Sequence, residues 1–471
     1  MTRRPALALV AGRPVTITGA PPAVLALVDA SLRARGLPSA AAAEPAALAD
    51  AIAADGVVGA WLEAEPAITV GLHDVARAAA TAGRPLVVLA SVARPRLETA
   101  AALAHLRAHG AAVFADPDAW IEALALLAAH RAPAGARVAI VGDEAGYLAT
   151  TARALPDDGR RPTWMADDAD DAPSDVVLVA RTAWRDGIGA ELPALRVPLC
   201  ERAELLADAP TGALVGLRAA LTAVTAVGRA SERARIGLGP AARSARAELE
   251  VDEERLARQL AKLAPSDHRL GDHEAKVLLS AYGVPITRQA VATSPSAALR
   301  VAAKAGFPVD VKPYGADVVS EADGCPIERG LGSAADVRRA FAAVLAKVGQ
   351  PLDRGAVIVR ATPPAGREVR VRIAALPHLG PTVIVEIPGQ PPEAAPAPLR
   401  AADATALAAG VVATRAGDDE PDRVGLANVL RRASHLAIDH AAVIRELVLS
   451  RVIVPARRGE TLVVDAEITL A

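Results

Sequence analysis

The sequence predicts an α/β chain in two successive parallel-sheet layers, followed by an α+β domain with mainly antiparallel pairing. Three observations carry that reading. From Pro14 to about Ala230, short apolar runs alternate with alanine-rich helical stretches, the pattern of strands joined by crossover helices. From about Leu270 the order becomes helix, strand, helix, strand, and then a series of strands with few helices between them. A chain of 471 residues is also too long for one ordinary core, and its size suggests about three domains. No repeat of 20–50 residues is present.

The first segment, 1–131, reads in order as strand PVTITG, helix AVLALVDASLRARG, strand GVVGAWLEAE, helix GLHDVARAAATAG, strand RPLVVLAS, helix LETAAALAHLRAHG, strand AAVFAD and helix PDAWIEALALLAAH. RAPAGA then reads as a linker. The second segment, 132–230, offers strands at RVAIVGD, DVVLVART and RVPLCER and a closing helix in TGALVGLRAALTAVTAVGRA. Residues 231–268 contain ARSARAELEVDEERLARQLAKL, a charged helical run with acidic and basic residues at helical-neighbour spacing, read as linker and helix. The third segment, 269–471, opens on helix GDHEAKVLLSAYG and strand PITRQAVA, and Ser294 before Pro295 marks the start of the next helix, PSAALRVAAKAG. Strand FPVDVKP, helix AADVRRAFAAVLAKVG, strands GAVIVRAT, REVRVRIAA and PTVIVEI, a proline-rich loop and the pair RELVLSRVIV and TLVVDAEITL complete it.

Composition excludes several function classes. With 52 Lys+Arg against 54 Asp+Glu the net charge is −2, which provides no positive field for non-specific binding of nucleic acid or of an anionic membrane. The only two cysteines, Cys200 and Cys325, are far apart and form neither a disulfide framework nor a thiolate zinc motif, which suits a reducing cytoplasm. The apolar run at the N-terminus ends early at Arg13 and Pro14, and no stretch reaches the ~18 residues of a membrane helix. Aromatic residues make up 2% of the chain, so large anchors are scarce in any one core, which suits either marginal stability or self-association.

Read residue by residue, the chemistry is sparse. Lys312 in FPVDVKP is either a phosphate ligand or a strand-end lysine that snorkels to water. Glu368 sits on the alternating strand V-R-V-R-I, where a solvent-facing glutamate is equally expected. His105 and His109 have the i, i+4 spacing of a metal pair, but without a third ligand a helix face in contact with water is the better reading. GDEAGYLA, 142–149, reads as a structural βα turn, and the acidic DDADDAPSD, 167–175, as a solvated loop.

The run KVLLSAYGVPITRQAVATSPSAALRVAAKAGFPVDVKP, with VIVRATPPAGREVRVRI, HLGPTVIVEIPG and the closing VDAEI, resembles the ATP-grasp domain of the NDP-forming acyl-CoA synthetases, the relatives of acetate–CoA ligase (ADP-forming) and succinyl-CoA synthetase. The resemblance is strong over Leu270–Ala471. More weakly, Pro14–Ala230 resembles the paired flavodoxin-like ligase domains of fused members. It implies two flavodoxin-like parallel-sheet domains followed by an α+β ATP-grasp domain. No GxGxxG follows the first strand, so the N-terminal CoA-binding domain of full-length members is expected to be missing.

By the same resemblance ATP and Mg²⁺ are the implied cofactors. Lys312 would contact phosphate, Val359 would lie in the adenine-facing backbone segment, and Glu368 would be the glutamate that follows the interlobe connection. Asp317 and Asp323 keep the acidic positions of the family's mobile loop, but its His-Lys pair has become Ser320-Glu321 and its Gly-Gly pair Cys325-Pro326. Serine here neither accepts a phosphoryl group nor offsets its charge readily, Glu321 repels an anion, and Pro326 lacks a backbone N–H. Asp465 in Val464-Asp465-Ala466 and Glu446 are the implied Mg²⁺ ligands, whereas Ser450-Arg451 replaces a ligand-bearing Asn-Pro. The charged turn Arg-Asp-Pro of relatives is reduced to Ala375-Leu376-Pro377. The phosphohistidine turn expected after RPLVVLAS is deleted. The expectation is therefore a catalytically degenerate nucleotide-binding or regulatory homologue with no catalytic residue. The alternative is an active acid–CoA ligase (ADP-forming) that works through acyl phosphate with a separate CoA-binding subunit.

Overall fold

The computed structural model describes residues 12–62, 70–90, 96–141, 163–165, 174–180, 194–200, 203–236, 249–262, 268–315, 318, 321, 324–349, 355–412, 421–456 and 460–471. The chain divides into two compact units, Met1–Pro95 with Ala102–Gly239 and Arg96–Ala101 with Pro240–Ala471.

In the first unit, β1 (Val15–Thr18), β2 (Ala40–Ala42), β3 (Val57–Leu62), β4 (Val87–Ala90) and β5 (Ala112–Phe114) pair in the order β2-β1-β3-β4-β5, all parallel. A second parallel sheet, from β6 (Val138–Val141), β7 (Thr163–Met165), β8 (Val176–Ala180), β9 (Leu195–Cys200) and β10 (Leu214–Val215), has the order β10-β9-β8-β6-β7. Counted from its own first strand, each sheet has the order 2-1-3-4-5, the flavodoxin-like arrangement. The continuous apolar runs follow from burial on both faces: Val57 enters one core while its neighbour Val58, with Ala60 and Leu62, enters another.

The two sheets share the first of these cores. Helix α1 (Pro22–Ala34) contributes Val28 and Leu32, while α5 (Pro117–Ala129) is buried continuously from Ala119 to Ala129 and packs on α6 (Leu217–Ile236). On α5, Trp120 donates its indole N–H to the Val87 carbonyl at 3.1 Å. Two residues on, the Glu122 carboxylate pairs with Arg35 and accepts the Val215 N–H at 2.8 Å, so a buried ion pair ties α1, α5 and β10 together. The other core lies under α2 (Leu48–Ala53), α3 (Val70–Thr81) and α4 (Leu97–Ala108).

The second unit begins with α7 (Glu253–Leu260), capped by the Asp252 carboxylate on the Arg255 N–H at 2.9 Å, so helix is described over only part of the charged run expected from the sequence. Beyond α8 (Asp272–Ala281), α9 (Pro295–Ala305), α10 (Ala334–Lys347), α11 (Ala401–Val411) and α12 (Arg423–Asp439), everything regular is antiparallel sheet. One sheet has four strands, β12 (Gln289–Ala292), β15 (Val357–Ala361), β13 (Val309–Pro313) and β14 (Glu328–Leu331), in that order. The other has six: β11 (Arg269–Leu270), β20 (Leu462–Leu470), β19 (Ile444–Val454), β16 (Arg367–Leu376), β17 (Gly380–Glu386) and β18 (Glu393–Pro396). Ser294 does cap α9, its hydroxyl accepting the Ala297 N–H at 3.2 Å. The sheets are stitched where Thr287 donates its N–H to the Val463 carbonyl at 3.1 Å and Val463 returns one to Pro285 at 2.9 Å.

Candidate functional site

β13 positions the site by simple alternation. Val309 and Val311 point into the core under α9 and α10, so Asp310 and Lys312 share the opposite face. That face meets β20 and the N-terminus of α8. Lys312 is 3% exposed, so the snorkelling alternative does not hold. Its ammonium lies 2.6 Å from Asp465 Oδ1, 3.0 Å from Asp272 Oδ2 and 3.4 Å from Glu321 Oε1. Three carboxylates thus take the three donors that an ammonium group has.

The surrounding charges close into one cluster. Arg360 stands opposite Asp310 in the β13–β15 register and binds its Oδ2 at 3.1 Å; the same guanidinium pairs with Glu321 and donates to the Val464 carbonyl at 2.8 Å. Lys276, one turn into α8, binds Asp272 at 3.0 Å, Thr287 Oγ1 at 3.0 Å, Gln289 Oε1 at 2.8 Å and the Val464 carbonyl at 2.5 Å. Asp465 spends its second oxygen on the Glu321 N–H and on the Ser450 hydroxyl, both at 2.8 Å. The β19–β20 ladder is irregular between Val448 and Arg451. There the consecutive residues Ser450 and Arg451 both serve the cluster, Arg451 reaching Glu321 at 3.4 Å and Glu368 at 2.6 Å.

Electrostatics follow from burial set against pairing. Burial favours the neutral form of Lys312, but Asp272 and Asp465 outweigh it and hold the ammonium above the usual lysine value. Burial would likewise raise Asp272, yet Lys276 and Lys312 keep it well below the carboxylate range. For Glu321, burial is overcome by Arg360 and then Lys312, which bring the carboxyl down to about 2. Lys276 is the exception: burial dominates its one close carboxylate and lowers it to about 8.

Of the residues expected at the site, Lys312 and Asp465 meet directly. Glu368 is at the rim, 56% exposed and bound to Arg451. Val359 is in the central strand of the four-stranded sheet, in register with Ala290 and Val311. Glu446 does not join the group: it pairs with Arg372 on β16 and stands in register with Thr469, five positions along β19 from Arg451. Asp317 and Asp323 lie outside the described residues, as do Ser320, the turn 142–149 and all but the end of the acidic run 167–175. Sequence reasoning missed Asp272, Lys276, Asp310 and Arg360. The signals were there in the two-residue period of D-V-K and the i, i+4 spacing of Asp272 and Lys276.

Among the described residues, the arrangement around Lys312 leaves no room for Mg·ATP. The cavity bounded by Lys312, Asp465, Asp272 and Tyr314 holds about 20 Å³, the space of a single water, and the cation and carboxylates that would face a triphosphate and metal are paired to one another. Among the described residues, no set of three or more His, Cys, Asp or Glu side chains has the geometry to hold a metal ion. This covers His105 and His109, beside which the structure sets His73 with ring centres 6.4 and 5.6 Å away. Cys200 and Cys325 are buried and form no disulfide, and no helix among the described residues is long and apolar enough to cross a membrane.

Residues 261–470 match the family model described as an ATP-grasp domain. An acetate–CoA ligase [ADP-forming] I subunit beta of Pyrococcus furiosus is 28% identical over 143 residues, 30% of this chain and 62% of that protein. Acetate–CoA ligase [ADP-forming] I of Archaeoglobus fulgidus is 26% identical over 211 residues, 42% of this chain and 31% of that one. The chain thus spans less than two thirds of either curated relative. A solved structure of the dinucleotide forming acetyl-coenzyme A synthetase 1 of Ca. Korarchaeum cryptofilum, in complex with coenzyme A, Ca-AMPCP and HgCl⁺, aligns with 47% of this chain and 100% of that one at 25% identity and a TM-score of 0.41.

Proposed function

The chain belongs to the NDP-forming acyl-CoA synthetase family, and from that premise we propose that it is a non-transferring member, whose ATP-grasp domain serves a binding or regulatory role. One observation carries the reading: the lysine at the family's phosphate position gives its ammonium to Asp465, Asp272 and Glu321, and Asp465 gives its other oxygen to Ser450. Phosphoryl transfer is mostly positioning and charge neutralisation, so a site whose charges cancel internally has no field left for a transferring phosphate. The arrangement is an electrostatic clasp between two sheets.

A second reading is favoured by the Pyrococcus furiosus relative being a beta subunit. On it, this chain is the nucleotide-handling half of an acid–CoA ligase and works with a separate CoA-binding chain. Purified protein is titrated calorimetrically with Mg·ATP, then assayed for ADP and acyl-CoA with CoA and acetate, propionate or succinate. The clasp reading expects no ADP and no acyl-CoA under any condition. Turnover by the chain alone overturns it, and turnover only on addition of a CoA-binding chain establishes the second reading.

A further inference from the structure

A cavity of about 610 Å³, separate from the small cavity at Lys312, opens between α8, β12 and α9. Its size is that of a site for a small organic molecule. Val277, Ile286 and Val301 give it an apolar wall, while Arg255, Lys276, Arg288 and Lys304 line it with positive charge, and among the described residues no carboxylate lines it.

Two buried polar atoms of lining residues, His273 Nδ1 and Gln289 Nε2, have no hydrogen-bond partner. The amide orientation of Gln289 is fixed by chemistry, because the Lys276 ammonium can only donate and therefore meets Oε1, at 2.8 Å. Its NH₂ group is left as an unused donor in a lining already rich in donors. Natural interiors rarely leave such groups unpaired without an occupant to complete them.

We propose that this cavity binds a small organic anion, an apolar body that carries a carboxylate or phosphate group. Gln289 and His273 meet the acidic oxygens, the charges of Arg255, Arg288 and Lys304 attract them, and Val277, Ile286 and Val301 meet the body. Lys276 also makes the site readable from the clasp, since its ammonium shares Asp272 with Lys312 and the Val464 carbonyl with Arg360. It also holds Gln289 Oε1, so a ligand on the Gln289 amide is linked to the clasp through Lys276. The inference is independent of whether the domain transfers phosphate.

The test is calorimetric titration of the full chain with hexanoate and with hexyl phosphate, using hexylammonium and inorganic phosphate as controls. At least one hexyl anion is expected to bind with one-to-one stoichiometry, at least tenfold more tightly than either control. Binding of hexanoate alone identifies a carboxylate ligand, and binding of hexyl phosphate alone a phosphate one. Val301→Trp, which fills the cavity, and Gln289→Leu, which removes the donor, are each expected to weaken binding at least tenfold with an unchanged circular dichroism spectrum. Should either fail to fold, Lys304→Glu at the exposed rim is expected to give the same loss. The proposal is overturned if neither anion binds, if hexylammonium binds equally well, or if the folded variants bind as the parent does.

Discussion

Replacing Lys312 by methionine separates a clasp from a ligand site. Methionine keeps most of the side-chain volume, so the change removes charge more than packing. In the parent, the buried members of the cluster are the cations Lys276, Lys312 and Arg360 and the anions Asp310 and Asp465, with the side chains of Glu321 and Asp272 2% and 7% exposed. Removing one cation leaves Asp465 and Asp272 short of their partner. Breaking a buried pair on one side costs about 3–5 kcal/mol, whereas loss of a lysine that waits in an open cleft costs little. Since ~1.4 kcal/mol is tenfold in an equilibrium, amide hydrogens that exchange only through opening of this unit should exchange about two to four orders of magnitude faster. The assay is hydrogen–deuterium exchange followed by mass spectrometry on peptides that cover β19 and β20. A double variant, Lys312→Met with Asp465→Asn, should cost less than the sum of its parts by 1 kcal/mol or more, because the second change relieves the charge that the first exposes. Exchange within about threefold of the parent, or strict additivity, would refute the clasp.

Other predictions follow from the same physics. The depressed carboxyls of Asp272 and Glu321 stabilise the second unit fully above their ordinary values near pH 4; that contribution is lost as pH falls toward the folded value of about 2 for Glu321, and a series of denaturant titrations from pH 2 to 7 should show it. Glu122 in the first unit behaves oppositely. Burial outweighs Arg35 and lifts its carboxyl to about 7, so its contribution declines as pH rises from about 4.5 to 7, and Glu122→Gln should flatten that slope. Arg35→Leu leaves Glu122 buried without its cation and should cost about 3–5 kcal/mol at pH 8, and less at pH 5, where the carboxyl takes up a proton. A Cβ on Gly228 of α6 would lie 2.1 Å from the Gly135 carbonyl oxygen, so Gly228→Ala should lower the thermal midpoint of the first unit by an overpacking cost of about 1–3 kcal/mol.

The sequence made strands legible wherever burial on two faces forced an uninterrupted apolar run, as in Val176–Ala180, and helix starts wherever a cap was local, as at Ser294. Lys312 and Asp465 could be found because flanking motifs marked them. What the motifs did not reveal was that the two residues bind each other. That depends on register between strands distant in sequence, such as Asp310 opposite Arg360, and on a helix N-terminus that delivers Asp272 to the same point. Glu446 shows the converse. Its place in the linear motif suggested a metal end, but the register of β19 with β16 and β20 gives it to Arg372.

Helix α5 has a consequence for any attempt to divide the chain. Ala119–Ala129 is covered by residues of both flavodoxin-ordered sheets, so a fragment that stops at residue 131 would carry its most apolar helix bare on one side. Such a fragment should clump, or recruit a second copy to replace the missing half. The repeat of one topology twice in sequence therefore does not give two separable folding modules.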